Sequence, residues 1–135
     1  MIDQRLIDWL ENRPNLEKES PDQLSRRATR PSLDRITTLC KYLGDPQATL
    51  DAIHVTGTNG KTSTTRIIES LMFTKGFTTG LITSPHLTQI NERIGLNTEP
   101  ISDFDLENAL NLIQKLEGEV EDIQKDHPSY FEIMV

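Results

Sequence analysis

Residues 54–65 read HVTGTNGKTSTT, setting two glycines and a lysine ahead of a run of hydroxyls. Glycines let the backbone fold tightly and turn successive N–H groups toward an anion, and a helix that starts behind them adds its positive end. That geometry suits phosphate. Lys61 is a mobile point charge long enough to reach β- and γ-phosphates, and the hydroxyl of Thr62 or Ser63 is a hard oxygen donor for Mg²⁺. Gly60-Lys61-Thr62 therefore reads as the end of a Walker A loop. The standard spacing sets its first glycine where this chain has Val55, so the match is to a variant in which Gly57 makes the turn. A dinucleotide fingerprint fits less well, because no GxG precedes Gly60. The competing reading is a glycine-rich turn between strand and helix with an incidental lysine.

Elements on either side must position such a loop. Residues 52–56 form a short apolar run ending at Gly57, and from Lys61 the period becomes helical, with Ile67, Ile68, Leu71 and Met72 inward and Gly76 as the stop. Residues 77–83 read as a second strand. Together these predict a βαβ unit with a right-handed crossover, hence two parallel strands of a larger α/β sheet. Upstream, Ile2, Leu6, Trp9 and Leu10 fall at helical spacing before Pro14, and Ser20, Pro21 and Gln23 form a helix start. Residues 23–30 are polar and basic, a solvated face. Leu33, Ile36, Leu39, Cys40 and Leu43 repeat at helical spacing up to Gly44, and Asp45-Pro46 makes a turn. Downstream, Ser102 with Asp105 starts a helix carried by Leu106, Ala109, Leu110, Ile113 and Leu116, with a continuation past Gly118 to Ile123 as one option. Ser129 and Glu132 stand at capping-box spacing before three apolar residues, a helix that the chain ends within. A doubly wound sheet needs more strands than these, which predicts the N-terminal piece of a longer protein.

Composition narrows the partners. The chain has 135 residues, 35% hydrophobic and 26% charged, the profile of an ordinary globular domain. Acids outnumber bases 21 to 14, for a net charge of −7, which argues against a nucleic-acid footprint and makes any anion site local. The single Cys40 excludes an internal disulfide and reads as core. The N-terminus lacks an apolar leader, and no apolar run approaches the roughly 20 residues of a membrane span. A cytoplasmic protein is the expectation.

The motifs carry a family resemblance. Thr56-Gly57-Thr58-Asn59-Gly60-Lys61-Thr62 resembles the phosphate loop of the Mur ligase superfamily. Thr83-Ser84-Pro85-His86-Leu87 with Glu92-Arg93-Ile94 is similar to its folate branch, the folylpolyglutamate and dihydrofolate synthases. Trp9-Leu10, Leu33-Asp34-Arg35 and Phe131-Glu132 add to it. The resemblance implies a P-loop NTPase-like parallel sheet with flanking helices, here incomplete. Residues 1–50 would be a helical segment leading into the domain and 51–135 the first part of the ATP-binding domain, without the C-terminal domain. It implies that ATP phosphorylates a substrate carboxylate and that the amine of L-glutamate attacks the acyl phosphate, extending dihydropteroate or folate by an amide bond. Lys61 would be catalytic, and Gly57, Thr58, Asn59, Gly60, Lys61, Thr62 and Ser63 would hold the nucleotide. Mg²⁺ would take Ser84, Glu132 and Thr62. Folate-branch members often carry glycine at the place of Thr62 with serine next, so Thr62 and Ser63 are alternatives. Pro85, His86, Leu87 and Arg93 would line a pteroate pocket in a loop, residues 84–93, that orders with substrate. The parent enzyme would be a monomer, and these 135 residues alone would not turn over.

Plainer readings stand beside these. Glu132 completes a capping box, Ser84 ends a strand in a turn, and His86 is an exposed loop histidine. His54 is structural, His127 lies at a turn surface, and Asn91 and Arg93 either touch substrate or support the loop. A peptidoglycan-type Mur ligase and a non-catalytic nucleotide-binding module are the alternative functions. SPHL and ERI weigh against the first of these.

Overall fold

Leucines four residues apart begin the fold. Helix α1 (Gln4–Glu11) buries Leu6 and Leu10, and the Asp3 side chain caps it by accepting the Arg5 N–H at 2.9 Å. The computed structural model describes residues 1–15 and 33–135, so the expected helix start at Ser20, Pro21 and Gln23 and the basic stretch 23–30 lie outside the described residues. The chain forms two units, Met1–Leu50 with Glu107–Val135, and Asp51–Leu106.

In the first unit α2 (Asp34–Tyr42) carries Asp34 in its first turn and Lys41 in its last, the signs that suit a helix dipole. The chain leaves it through Gly44 and Asp45, both at positive φ. Cys40, expected in the core, is half-buried beside an open groove lined by Leu33, Ile36, Thr37 and Gln47. It lies on the edge of the helix stripe rather than at its centre, where Leu39 is buried. Helix α4 (Asp103–Glu119) starts as expected, with the Asp105 N–H donating to Ser102 Oγ at 3.1 Å and the Leu106 N–H to the Ser102 carbonyl. Leu110 and Ile113 are buried in this unit, and Leu106 in the other. The helix does not continue to Ile123; Val120 is extended and a short α5 (Glu121–Lys125) begins anew. Helix α6 (Tyr130–Met134) opens on the expected capping box. Helix α1 packs on α6 and α2 on α5, and the Tyr130 N–H donates to the Pro14 carbonyl at 3.1 Å.

The second unit holds α3 (Lys61–Thr74) and three strands, β1 (Gly80–Ile82), β2 (Ile94–Leu96) and β3 (Glu99–Pro100), in the order β1-β2-β3. All pairings are antiparallel, with Leu81 opposite Gly95 and Leu96 opposite Glu99. The architecture is α/β, but the predicted parallel βαβ pairing does not form among the described residues. An apolar run becomes a strand only with a ladder partner: residues 52–56 have none here, and of residues 77–83 only 80–82 pair, with a strand that follows rather than precedes them. Asn97 and Thr98, both at positive φ, form the two-residue turn that joins β2 to β3. The Asn97 side chain accepts the Thr79 N–H at 3.0 Å while its own N–H donates to the Thr79 carbonyl.

Helix α3 turns a different face inward than its apolar residues suggest. Its covered stripe is Thr65, Ile68, Glu69 and Met72, spaced i, i+3, i+4 and i+7, whereas Ile67 and Leu71 are each 61% exposed. The helix carries two apolar edges, and the sheet covers only one. Glu69 is buried and accepts the Thr98 N–H at 3.1 Å, tying α3 to the strained turn. Gly95 makes this approach possible, because a Cβ there would stand 3.1 Å from Leu81 Cβ and 3.3 Å from Glu69 Oε1.

Candidate functional site

The loop ahead of α3 is built by two glycines. Gly57 has φ 150 and Gly60 has φ 76, backbone states that suit glycine, and Gly60 is the N-cap of α3. Glycine offers no side chain to cap the helix, so the N–H groups of its first turn point outward without an internal acceptor. Lys61 Nζ folds back to donate to the Gly57 carbonyl at 2.6 Å, closing the loop into a ring, and Thr65 Oγ1 donates to the Lys61 carbonyl. Thr58, Asn59, Thr62 and Ser63 are exposed around the same ring; His54, expected to be structural, is exposed. No acidic residue occupies the first turn of α3, so its dipole and Lys61 act in the same direction on an incoming anion.

Residues 84–93 form a second loop in the same unit, closed on itself. The Ser84–Pro85 peptide bond is cis. Glu92 reaches back along the loop, where its carboxylate accepts the N–H of Leu87 at 2.7 Å, of Thr88 at 3.1 Å and of Gln89 at 3.0 Å, and the Thr88 hydroxyl. Hydrogen bonds from Thr88, Leu87 and Gln89 hold this carboxyl at a pKa of about 2. Glu92 also belongs to the one-turn helix Ile90–Arg93, where it makes a reciprocal capping box with Gln89. Arg93, 4% exposed, donates through Nε to His86 Nδ1 at 2.9 Å. His86 thus accepts at Nδ1, which leaves its donor at Nε2. Asn91 is buried and donates to the Ile101 carbonyl and to Asp103. Leu87 is 91% exposed. The Thr83 N–H donates to the Arg93 carbonyl, fastening both ends of the loop where β1 meets β2.

Glu132 lies in the other unit. Its carboxylate accepts Ser129 N–H at 2.7 Å and Ser129 Oγ at 2.6 Å, and pairs with Arg35 Nε at 3.0 Å. Burial would raise its pKa, but the Ser129 donors and Arg35 outweigh burial and hold it below the ordinary value. Among the described residues no group of three or more His, Cys, Asp or Glu is arranged to hold a metal. The same unit contains a cluster absent from the sequence reading. Glu117, 8% exposed, takes a bidentate contact from Arg13, the indole N–H of Trp9 at 3.0 Å, and His127 Nδ1 at 2.6 Å, while Arg13 stacks on Trp9 at 4.7 Å. His127, expected at a turn surface, is exposed yet engaged. Sequence signals were faint: Arg35 appeared only among the residues of the family resemblance, Trp9 there and at helical spacing, and Glu92 only as part of ERI.

A family model for the Mur ligase middle domain matches residues 55–122, half of the chain. This chain belongs to that family. The Mur ligase match opens one residue before the glycine loop's Thr56 and includes the whole of the second loop. The dihydrofolate synthase/folylpolyglutamate synthase of Bacillus subtilis is 38% identical over 105 residues, which is 78% of this chain and 24% of that protein. The apo form of the Lactobacillus casei folylpolyglutamate synthase (FPGS) superposes on 99% of this chain and 30% of its own with a TM-score of 0.81 at 33% identity. An FPGS complex with AMPPCP and folate does so with a TM-score of 0.82, over the same shares and at the same identity. The chain thus spans less than a third of the length of each of these relatives. No helix among the described residues is long and apolar enough to cross a membrane.

Proposed function

We propose that this chain is the nucleotide-binding opening of an ATP-dependent ligase that joins glutamate to dihydropteroate or folate. The ring of residues 57–61 at an uncapped helix N-terminus carries the reading: it is a phosphate loop of P-loop type with the lysine in place. Relatives named as folylpolyglutamate and dihydrofolate synthases, one of them bound to an ATP analogue and folate, support the ligase assignment. A carboxylate is a poor electrophile, so one of its oxygens must first become a phosphate leaving group, and two crowded anions must be neutralised for the transfer. Lys61 exchanges the Gly57 carbonyl for a phosphate oxygen, and the N–H groups at the start of α3 donate to the others. Gly57, Thr58, Asn59, Gly60, Thr62 and Ser63 wrap the nucleotide, and Pro85, His86, Leu87 and Arg93 face the pteroate.

Exposed hydroxyls on Thr62, Ser63 and Ser84, all in the unit that holds the loop, are hard oxygen donors that fit Mg²⁺. When bound there, the ion would offset charge on the phosphates. Glu132 fits it less well as it stands, because Arg35 already neutralises its carboxylate, and a metal role needs that pair to open. The acidic composition favours small-molecule substrates over nucleic acid. A cytoplasmic location, a monomeric parent and the assignment of residues 51–135 to an ATP-binding domain belong to the same proposal.

Calorimetric titration of MgATP into the chain tests it, with Lys61→Ala as control. Binding lost in the variant supports the phosphate loop; equal binding by both removes Lys61 from the site. Competition by folate against a UDP-muramyl peptide for the chain then separates the folate branch from a peptidoglycan-type ligase.

A further inference from the structure

The second loop is held closed by the chain's own side chains. Three consecutive backbone N–H groups, of Leu87, Thr88 and Gln89, converge on one carboxylate, and the Thr88 hydroxyl joins them. Converging N–H groups of this kind form an anion-binding concavity. Here the anion is the chain's own Glu92, five residues or fewer from each donor. Its neighbour Arg93 is buried and holds His86 by Nδ1, so the two successive residues clasp the loop at three consecutive backbone positions and at one side chain. Leu87, between the clasps, is left 91% exposed.

We propose that Glu92 is the positioning residue of the substrate loop, fixing residues 86–89 in their binding conformation before the pteroate arrives. The proposal rests on the reading of residues 84–93 as a pteroate-binding loop. Pre-forming the loop removes an ordering cost from substrate binding, so Glu92 acts on affinity for the pteroate without touching it. Arg93 sets which nitrogen of His86 carries the proton and thereby turns that ring into a hydrogen-bond donor at Nε2. The glycine ring of residues 57–61 and the Ser84 hydroxyl are not among the partners of the Glu92 carboxylate, so nucleotide affinity is expected to change little with Glu92.

Glu92→Gln tests this, because the amide keeps the shape but replaces one acceptor oxygen by a donor that opposes the N–H groups. Amide hydrogen exchange is measured at Leu87, Thr88 and Gln89, together with binding of folate and of MgATP, in the chain and the variant. Exchange at those three positions is expected to rise about tenfold, and folate affinity to fall by a similar factor. The MgATP dissociation constant should stay within about twofold. Thr88→Ala, which removes a single donor, should give an intermediate result and serves if the first variant fails to fold. Unchanged exchange with unchanged folate affinity overturns the proposal, as does an equal loss of both ligands. A parent chain with protected amides at 87–89 that binds MgATP but no folate instead overturns the pteroate assignment, and the substrate role of Glu92 with it.

Discussion

Lys61 Nζ donates to the Gly57 carbonyl at 2.6 Å, so under the proposed function a phosphate exchanges with an internal hydrogen bond. Weak anions gain little from that exchange, whereas a polyphosphate also collects the N–H groups of the first helical turn. Lys61→Ala removes a charge-assisted bond and is expected to weaken MgATP binding by at least about tenfold, ~1.5–3 kcal/mol, as read by calorimetry. Glu92 gives a pH prediction of definite sign. Its folded pKa, about 2, lies below the ordinary carboxyl value of 4.5, so its contribution is complete above the higher value and is lost as pH falls toward the lower. Protection of the amides at 87–89, corrected for intrinsic exchange, should hold at pH 5 and decline steadily below pH 4. The turn and helix start at the first loop were legible because Gly57 and Gly60 stand directly ahead of a helical period that begins at Lys61. Glu92 was not, because its role depends on a loop that doubles back, and nothing in the letters ERI states which N–H groups the carboxylate meets.

Helix α1 was readable from apolar residues at helical spacing and α4 from the start at Ser102 with Asp105 followed by leucines, and both formed, although Asp3 as the cap of α1 and the break of α4 at Val120 were not read. The sheet was misread because an apolar run looks the same whether it finds a parallel neighbour, an antiparallel one or none. Helix α3 was half legible: its inner stripe includes a carboxylate, Glu69, that no periodicity of apolar residues would select. Two element-level tests follow from the packing of α3 on the sheet. Gly95→Ala places a methyl 3.1 Å from Leu81 Cβ in a site with no slack and is expected to destabilise by about 1–3 kcal/mol, visible as a lower urea midpoint in circular dichroism. Leu10→Ala, at a wholly buried position in α1, should cost about 2–5 kcal/mol in the same measurement.

The two units depend on different kinds of interaction. The first buries leucines, isoleucines, a methionine and a tyrosine, and it also holds the Glu117 cluster. The second buries few apolar side chains, chiefly Leu81 and Leu106, alongside Glu69, Asn91 and Arg93. Burial raises the Glu117 pKa, but Arg13 and Trp9 outweigh it and keep the carboxylate ionised; removing the acid leaves Arg13 without that partner in a nearly dry site. Glu117→Ala is therefore expected to cost about 3–5 kcal/mol, measured by thermal unfolding. In the second unit Ile53, Ile67, Leu71, Phe77 and Ile82 are each well exposed, a pattern that favours association. Sedimentation velocity should show a sedimentation coefficient that rises with concentration, and concentration-independent behaviour would count against that expectation. The distribution of chromophores has a further consequence. The single tryptophan, Trp9, and both tyrosines, Tyr42 and Tyr130, lie in the first unit. Tryptophan and tyrosine absorbance and fluorescence therefore report that unit alone. The glycine ring and the clasped loop are optically dark, and a tryptophan introduced at exposed Phe77 would give them a signal of their own.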